Sequence, residues 1–316
     1  MEIIMKDESK TIKISRRKSQ KGSQRGSLER QKAKMNLFYI PALMLFAVVV
    51  LYPLLDGVRI SFTRWNGYSQ NFSYIGFNNY IKFFTDGKIW IAFRNTFIYG
   101  FGSTLFQNIL GLGYALLINS AIRGRNLVRT VVYLPVMISP LIMGYVMYFF
   151  VQYDNGALND IMIMLGQQPV DWMADGNRAV LIITLITTLQ YVGIDMILYL
   201  AGLQGIPTMY YEAAAIDGVG AFTAFKYITL PMLRPAIFSV ITLNVIGGLK
   251  LFDIVVALTN GGPGWASHSL STLISNQYFK AQNAGYAAVI GLLSFVSIML
   301  VSSLVMAFFS KREVEV

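Results

Sequence analysis

The sequence predicts an all-α integral membrane protein with six transmembrane helices and a cytoplasmic helix-turn-helix loop between the fourth and fifth spans. Three observations carry that prediction. Of 316 residues, 55% are hydrophobic and 13% charged, against about 25% charged in an ordinary soluble domain. Six long apolar runs recur along the chain. One of the loops that separate them is far longer than a connector requires and is patterned to fold.

The apolar runs lie at about 36–55, 96–119, 130–151, 179–203, 236–258 and 287–309. Each holds the roughly 20 residues that a spanning helix needs. Lipid offers no partner to backbone N–H and C=O groups, so such runs are helical by default. The first run does not read as a cleaved signal, because its basic flank is too long and no small-x-small site follows it.

Charge sets the orientation. Segment 1–34 carries eleven Lys/Arg and four Asp/Glu with almost no aromatic residue, which reads as a disordered basic tail beside anionic lipid. With that tail in the cytoplasm, the inner segments hold 18 Lys/Arg and the outer loops 7: Arg59, Arg64, Lys82, Lys88, Arg94, Arg178 and Lys280. The bias places both termini inside and gives a multi-pass protein of the cell membrane. The domain plan is a tail at 1–34, a six-span unit at 35–310 and a short cytoplasmic tail at 311–316. All four tryptophans, Trp65, Trp90, Trp172 and Trp265, fall in outer segments, as an interfacial belt or as a docking surface for an external partner.

Composition excludes several classes. There is no cysteine and one histidine, His268, so neither disulfides nor a His/Cys metal centre is expected. The net charge of +10 is concentrated in the tail and does not point to nucleic acid. No G-x-x-x-x-G-K-[ST] loop is present, so the chain should bind no nucleotide itself. No catalytic constellation stands out.

The loop between the fourth and fifth runs, at 205–235, is built to fold. Pro207 suits a first helical turn, Glu212 to Ala215 favour helix, and Gly218 is placed to stop it. A second short helix, about Ala221 to Tyr227, is expected to end at Leu230-Pro231. The product is a compact knob on the cytoplasmic side. Here the sequence resembles a known family. Glu212-Ala213-Ala214, Gly218 and Ile228-x-Leu230-Pro231 stand at the signature spacing of the EAA loop of binding-protein-dependent ABC importer permeases. The likeness extends over nearly all of 36–310 and is nearest to the maltose and multiple-sugar branch. Asn79-Tyr80, Asn95-Thr96, Phe252-Asp253, Leu258-Thr259-x-Gly261-Gly262-Pro263 and Gly285-Tyr286-Ala287-Ala288 are similar to that branch.

The resemblance implies that the loop docks on an ATPase subunit through Glu212, Ala213, Ala214, Asp217, Gly218, Ile228, Leu230 and Pro231. Glu212 would make polar contacts, Ala213 and Ala214 would permit close approach, and Gly218 would set the turn. It further implies a second permease subunit, two ATPase subunits that hold ATP and magnesium, and an extracytoplasmic substrate-binding protein. The cargo would be a sugar or oligosaccharide, with glycerol phosphate or another small solute as the alternative. An ion-coupled carrier acting alone is the reading from a different class.

Polar groups at bilayer depth are functional candidates. Gln190, Tyr191 and Asp195 lie in the fourth run, and Asn244, Lys250 and Asp253 in the fifth. On a helix, Asn244, Gly247, Gly248 and Leu251 share a face, which suits a passage for a neutral polyhydroxy cargo or close helix packing through small residues. Gln190 and Tyr191 join it as pathway candidates. Two family contact positions are Gly and Leu here, which favours a wide passage over tight binding. Lys250 and Asp253 are expected on the opposite side, paired with each other or, for Lys250, with Asp195 as a structural charge pair.

Overall fold

The computed structural model describes residues 39–120 and 123–310; the basic segment 1–34 and the tail at 311–316 lie outside them. The chain divides into two units, one ending at Arg59 and the other running from Ile60. The described part of the first unit lies in α1 (Tyr39–Ser61), which is long enough to cross a membrane, and no part of its most apolar window is buried. An Asp56–Arg59 pair at 3.1 Å lies in its last turns.

The second unit opens with a two-stranded antiparallel ribbon, β1 (Thr63–Arg64) and β2 (Ser73–Tyr74), with Thr63 opposite Tyr74. Helices α2 (Asn78–Thr85) and α3 (Gly87–Asn119) follow. After them come α4 (Arg125–Met137), α5 (Pro140–Val151), α6 (Ala157–Met164) and α7 (Gly176–Gln204). The polar loop supplies α8 (Met209–Ile216) and α9 (Ala221–Met232). The chain ends with α10 (Arg234–Leu249), α11 (Asp253–Leu258), α12 (Leu270–Ser275) and α13 (Ala284–Ser310). Helices α3 and α7 form the most extensive pair, and α7 is the most buried of the long helices.

Four helices, α1, α3, α7 and α13, can each cross a membrane alone by length and composition; two bent pairs raise the total to as many as six. The run at 130–151, expected as one straight span, is broken by 104° between α4 and α5. Pro140 explains the break. The residue before a proline is driven out of the α region, and Ser139 and Ile138 both take extended ψ values near 136°. The run at 236–258 is also interrupted, because α10 ends at Leu249 and helix resumes only at Asp253. A 66° bend separates α9 from α10 at Leu233.

On the side away from α8 and α9, asparagine and hydroxyl side chains close the loops. Asn79 Nδ2 donates to the carbonyls of Ser61 and Thr63, both at 2.9 Å. Asn95 Nδ2 donates to Ala266 O (2.6 Å) and His268 O (3.2 Å). Thr96 Oγ1 accepts from Leu270 N, and Tyr99 OH donates to Ser267 O. Gly285 lies directly on Thr63 O, where a Cβ would fall 2.0 Å away. The positions that carried the softer part of the resemblance therefore include loop-fixing residues. The four tryptophan side chains also bond locally or pack: Trp65 to Ser69 O, Trp90 to Phe84 O, Trp172 to Asn159, and Trp265 against the His268 ring at 5.0 Å. Trp90 stands inside α3 rather than in a loop.

Candidate functional site

A cavity of about 320 Å³ opens between α3, α7 and α10. Its wall brings together Tyr191, Asn244, Gly247, Gly248 and Leu251, five of the six pathway candidates, with Lys250 and Asp253 beside them. Gln107, Thr187 and Ile194 also line it and were not singled out from sequence; Phe252, noted there only for its likeness to the sugar branch, lines it too. Gln107 carried the same signal as the others, a polar residue inside an apolar run, and Thr187 lies one helical turn from Tyr191.

Gln190 is the sixth candidate and does not reach the cavity. It is fully buried, and its Nε2 donates to Pro135 O (2.7 Å) and Ile138 O (2.9 Å). The break between α4 and α5 leaves Ile138 O to Gln190, and Pro135 O also accepts from Ile138 N at 3.2 Å, so Gln190 serves the bend. Gly193 lies beside the same element: a Cβ there would stand 2.7 Å from Val132 O and 2.8 Å from Tyr133 Cα.

The expected charge pair is corrected. Asp195 is buried, and its Oδ2 accepts from Asn244 Nδ2 at 2.6 Å, not from Lys250. Among the described residues no ion pair joins Lys250 to Asp253 or to Asp195. The reason is local: α10 has ended, Lys250 and Phe252 leave the helical path, and the spacing of three no longer places two side chains on one helical face. Both charges line the same cavity as Asn244.

The two adjacent glycines divide the readings offered for them. Gly248 packs on α3, where a Cβ would meet Gly100 Cα at 2.7 Å and Tyr99 O at 2.9 Å. Gly247 has no such neighbour and faces the cavity. Close approach and open passage are adjacent on one helix.

The loop folds as a helical hairpin. Glu212 sits in the first turn of α8, where a carboxylate complements the helix dipole. The helix ends in a Schellman motif: Gly218 has φ +71°, Gly218 N donates to Ala215 O (3.1 Å), and Val219 N donates to Ala214 O (2.9 Å). Asp217 is the last residue before that turn. A hydrogen bond of 2.9 Å between Tyr211 OH and Thr229 Oγ1 ties α8 to α9.

Two expectations are revised here. Pro231 does not end the second helix. A π-turn at Phe225–Thr229 absorbs it, and helix continues to Met232; a widened turn accommodates a residue that has no N–H to give. Ala214 is buried and faces the fold, whereas Glu212, Ala213, Asp217 and Gly218 are exposed. Ile228, Leu230 and Pro231 are half-buried. The sequence reading missed the largest exposed groups of the hairpin: Ile216 is 87% and Phe222 78% exposed.

Among the described residues no group of three His, Asp or Glu could hold a metal ion. His268, outside the spans, is packed beneath Gly261 and bonds Thr272 Oγ1 at 3.0 Å. Burial, then the Lys280 ammonium, lowers its pKa to about 4.

Residues 107–314 match the family described as the binding-protein-dependent transport system inner membrane component. The chain is 33% identical over 273 residues to the trehalose/maltose transport system permease protein MalF of Thermococcus litoralis, covering 86% of this chain and 92% of that protein. It is 34% identical to the multiple sugar-binding transport system permease protein MsmF of Streptococcus mutans, over 88% of this chain and 95% of that one. In fold it is similar to a chain of a bacterial ABC transporter involved in import of the acidic polysaccharide alginate. The TM-score is 0.77 at 22% identity, covering 89% of this chain and 96% of the other.

Proposed function

The chain belongs to the binding-protein-dependent transport system inner membrane component family, and from that premise we propose that it forms half of the passage of an ATP-driven importer for a sugar or oligosaccharide. The observation that carries the reading is the cavity. Tyr191, Asn244, Gln107 and Thr187 line it together with one cation and one anion, a wall suited to a neutral polyhydroxy cargo. The relatives named for trehalose, maltose and multiple sugars support the same class.

In this reading α4–α5 and α10 with α11 each serve as one span. That gives six spans with both termini in the cytoplasm and the α8–α9 hairpin on the cytoplasmic face. The hairpin docks on an ATPase subunit, where ATP and magnesium are held, through Glu212, Ala213, Asp217, Gly218 and the exposed Ile216 and Phe222. Ile228, Leu230 and Pro231 hold the second arm in place. A second permease completes the passage, and an extracytoplasmic binding protein delivers the cargo.

Two measurements test this. Purification through a C-terminal tag should bring an ATPase chain and a second permease, and the complex in liposomes should take up a labelled sugar only with ATP. A lone chain that moves solute under an ion gradient would overturn the proposal. Because the sequence has no cysteine, single cysteines at Asp217 and at Gly264 will report sidedness without background; labelling of both from the same side would overturn the topology.

A further inference from the structure

We infer that Asp195, behind the cavity wall, is a positioning residue that fixes which atom Asn244 shows to the cargo. The inference rests on the reading of the cavity as the passage. Asp195 does not line the cavity; it is 1% exposed between α3, α7 and α10. Gly111 of α3 presses on it so closely that a Cβ there would stand 2.5 Å from Asp195 Cβ. In that confined place Oδ2 accepts from Asn244 Nδ2 at 2.6 Å, while Oδ1 has no hydrogen-bond partner among the described residues.

The polarity of the contact follows from the chemistry of the groups. As a carboxylate Asp195 can only receive, so the Asn244 amide gives it an N–H. Holding Nδ2 against Asp195 fixes Oδ1, an acceptor, on the other arm of the amide, while the second Nδ2 hydrogen stays on the arm beside Asp195. The wall at this point therefore reads a hydroxyl that donates, and it disfavours a group at the same ring position that cannot. An asparagine without a fixed partner would turn over and meet either kind of group. Asp195 fixes which arm of the Asn244 amide is the acceptor.

The test uses the complete importer in liposomes, with whichever of maltose, trehalose and lactose the unaltered complex takes up, and a set of its analogues each carrying fluorine in place of one hydroxyl. At one ring position the fluoro analogue should show a KM roughly tenfold higher than the parent sugar, the value of one lost hydrogen bond. Asn244→Leu should abolish that difference. Asp195→Asn keeps size and shape but offers both a donor and an acceptor, so it releases the Asn244 amide. It should also bring the ratio close to one, with maximal rate and ATPase activity within about twofold of the parent. In the Asn244→Leu background, Asp195→Asn should change the ratio no further. Melting temperature is followed in parallel. A variant at Asp195 that melts lower, loses maximal rate and keeps the tenfold ratio makes Asp195 a packing residue and overturns the inference. A ratio that Asn244→Leu leaves untouched overturns it too, by removing Asn244 from cargo recognition while sugar import stands. Uptake of none of the three sugars removes the reading on which it rests.

Discussion

The cavity wall and the α8–α9 hairpin distribute polarity in opposite ways. In the wall and behind it, polar side chains occupy helices meant for lipid, and several are committed to backbone carbonyls. Gln107 donates to Thr187 O, and Gln190 to Pro135 O and Ile138 O. In the hairpin, which lies outside the apolar runs, Ile216 and Phe222 stand almost fully exposed. A polar group in a membrane span first serves backbone atoms that lipid cannot satisfy. The exposed apolar groups of the hairpin have no such internal duty, and in the proposed assembly they face the ATPase subunit. By this comparison Gln190 leaves the site, and Ile216 and Phe222 enter it.

The largest expected effect breaks the hairpin without touching the wall. Proline holds φ near −65° and has no N–H. At Gly218 the backbone needs φ +71° and an N–H for Ala215 O. Gly218→Pro should cost the turn about 3 kcal/mol or more, and the ATPase subunit should no longer co-purify. Uptake should fall to background while the spans still insert. Near-normal uptake would show that this turn is not the docking element. Next is Gln190→Leu, which acts behind the wall. It leaves Ile138 O without its partner, at about 1–3 kcal/mol, while Pro135 O keeps the Ile138 N–H. The purified complex should melt lower with its choice among sugars unchanged; a shift in sugar preference would return Gln190 to the passage. Smaller again is the pair Ile216→Ser and Phe222→Ser. Each should weaken ATPase retention by about 1–2 kcal/mol and leave the melting temperature of the chain alone. A lowered melting temperature would mean that these side chains pack within the permease.

The contrast also explains how much was legible in the sequence. Run length and loop charge located the helices, because lipid imposes length and composition directly. The hairpin was legible because Pro207 and Gly218 act locally. The breaks were not. Pro140 gave a signal within the run at 130–151, but whether a proline bends a span or breaks it depends on partners for the freed carbonyls, and one partner, Gln190, is fifty residues further on. The charge pair failed for a related reason. Helical spacing for Lys250 and Asp253 assumed a helix that stops at Leu249; Gly247-Gly248, a breaker signal, was read instead as room on one helical face. Asp195 and Asn244 were both singled out, yet their bond crosses from α7 to α10 and no periodicity within one run reveals it.

The smallest effect sharpens the comparison from a third place, the loop between α11 and α12, where a titratable side chain is buried with no ion pair among the described residues. His268 has a folded pKa of about 4 against its ordinary 6.5. Above 6.5 both folded and unfolded chains hold it neutral, and pH has no influence through this group. Between 6.5 and 4 the unfolded chain takes up a proton that the folded loop refuses, so stability falls with pH across that window. Lys280 adds to the refusal, since its ammonium opposes a second cation nearby. Melting curves of the purified complex at pH 7.5, 6 and 4.5 should therefore fall more steeply for the parent than for His268→Gln, which keeps a polar side chain and cannot titrate. Parallel slopes would mean that the loop opens enough to hydrate the imidazolium. In that case Gly261 and Trp265, which lie against the ring, close over it only loosely.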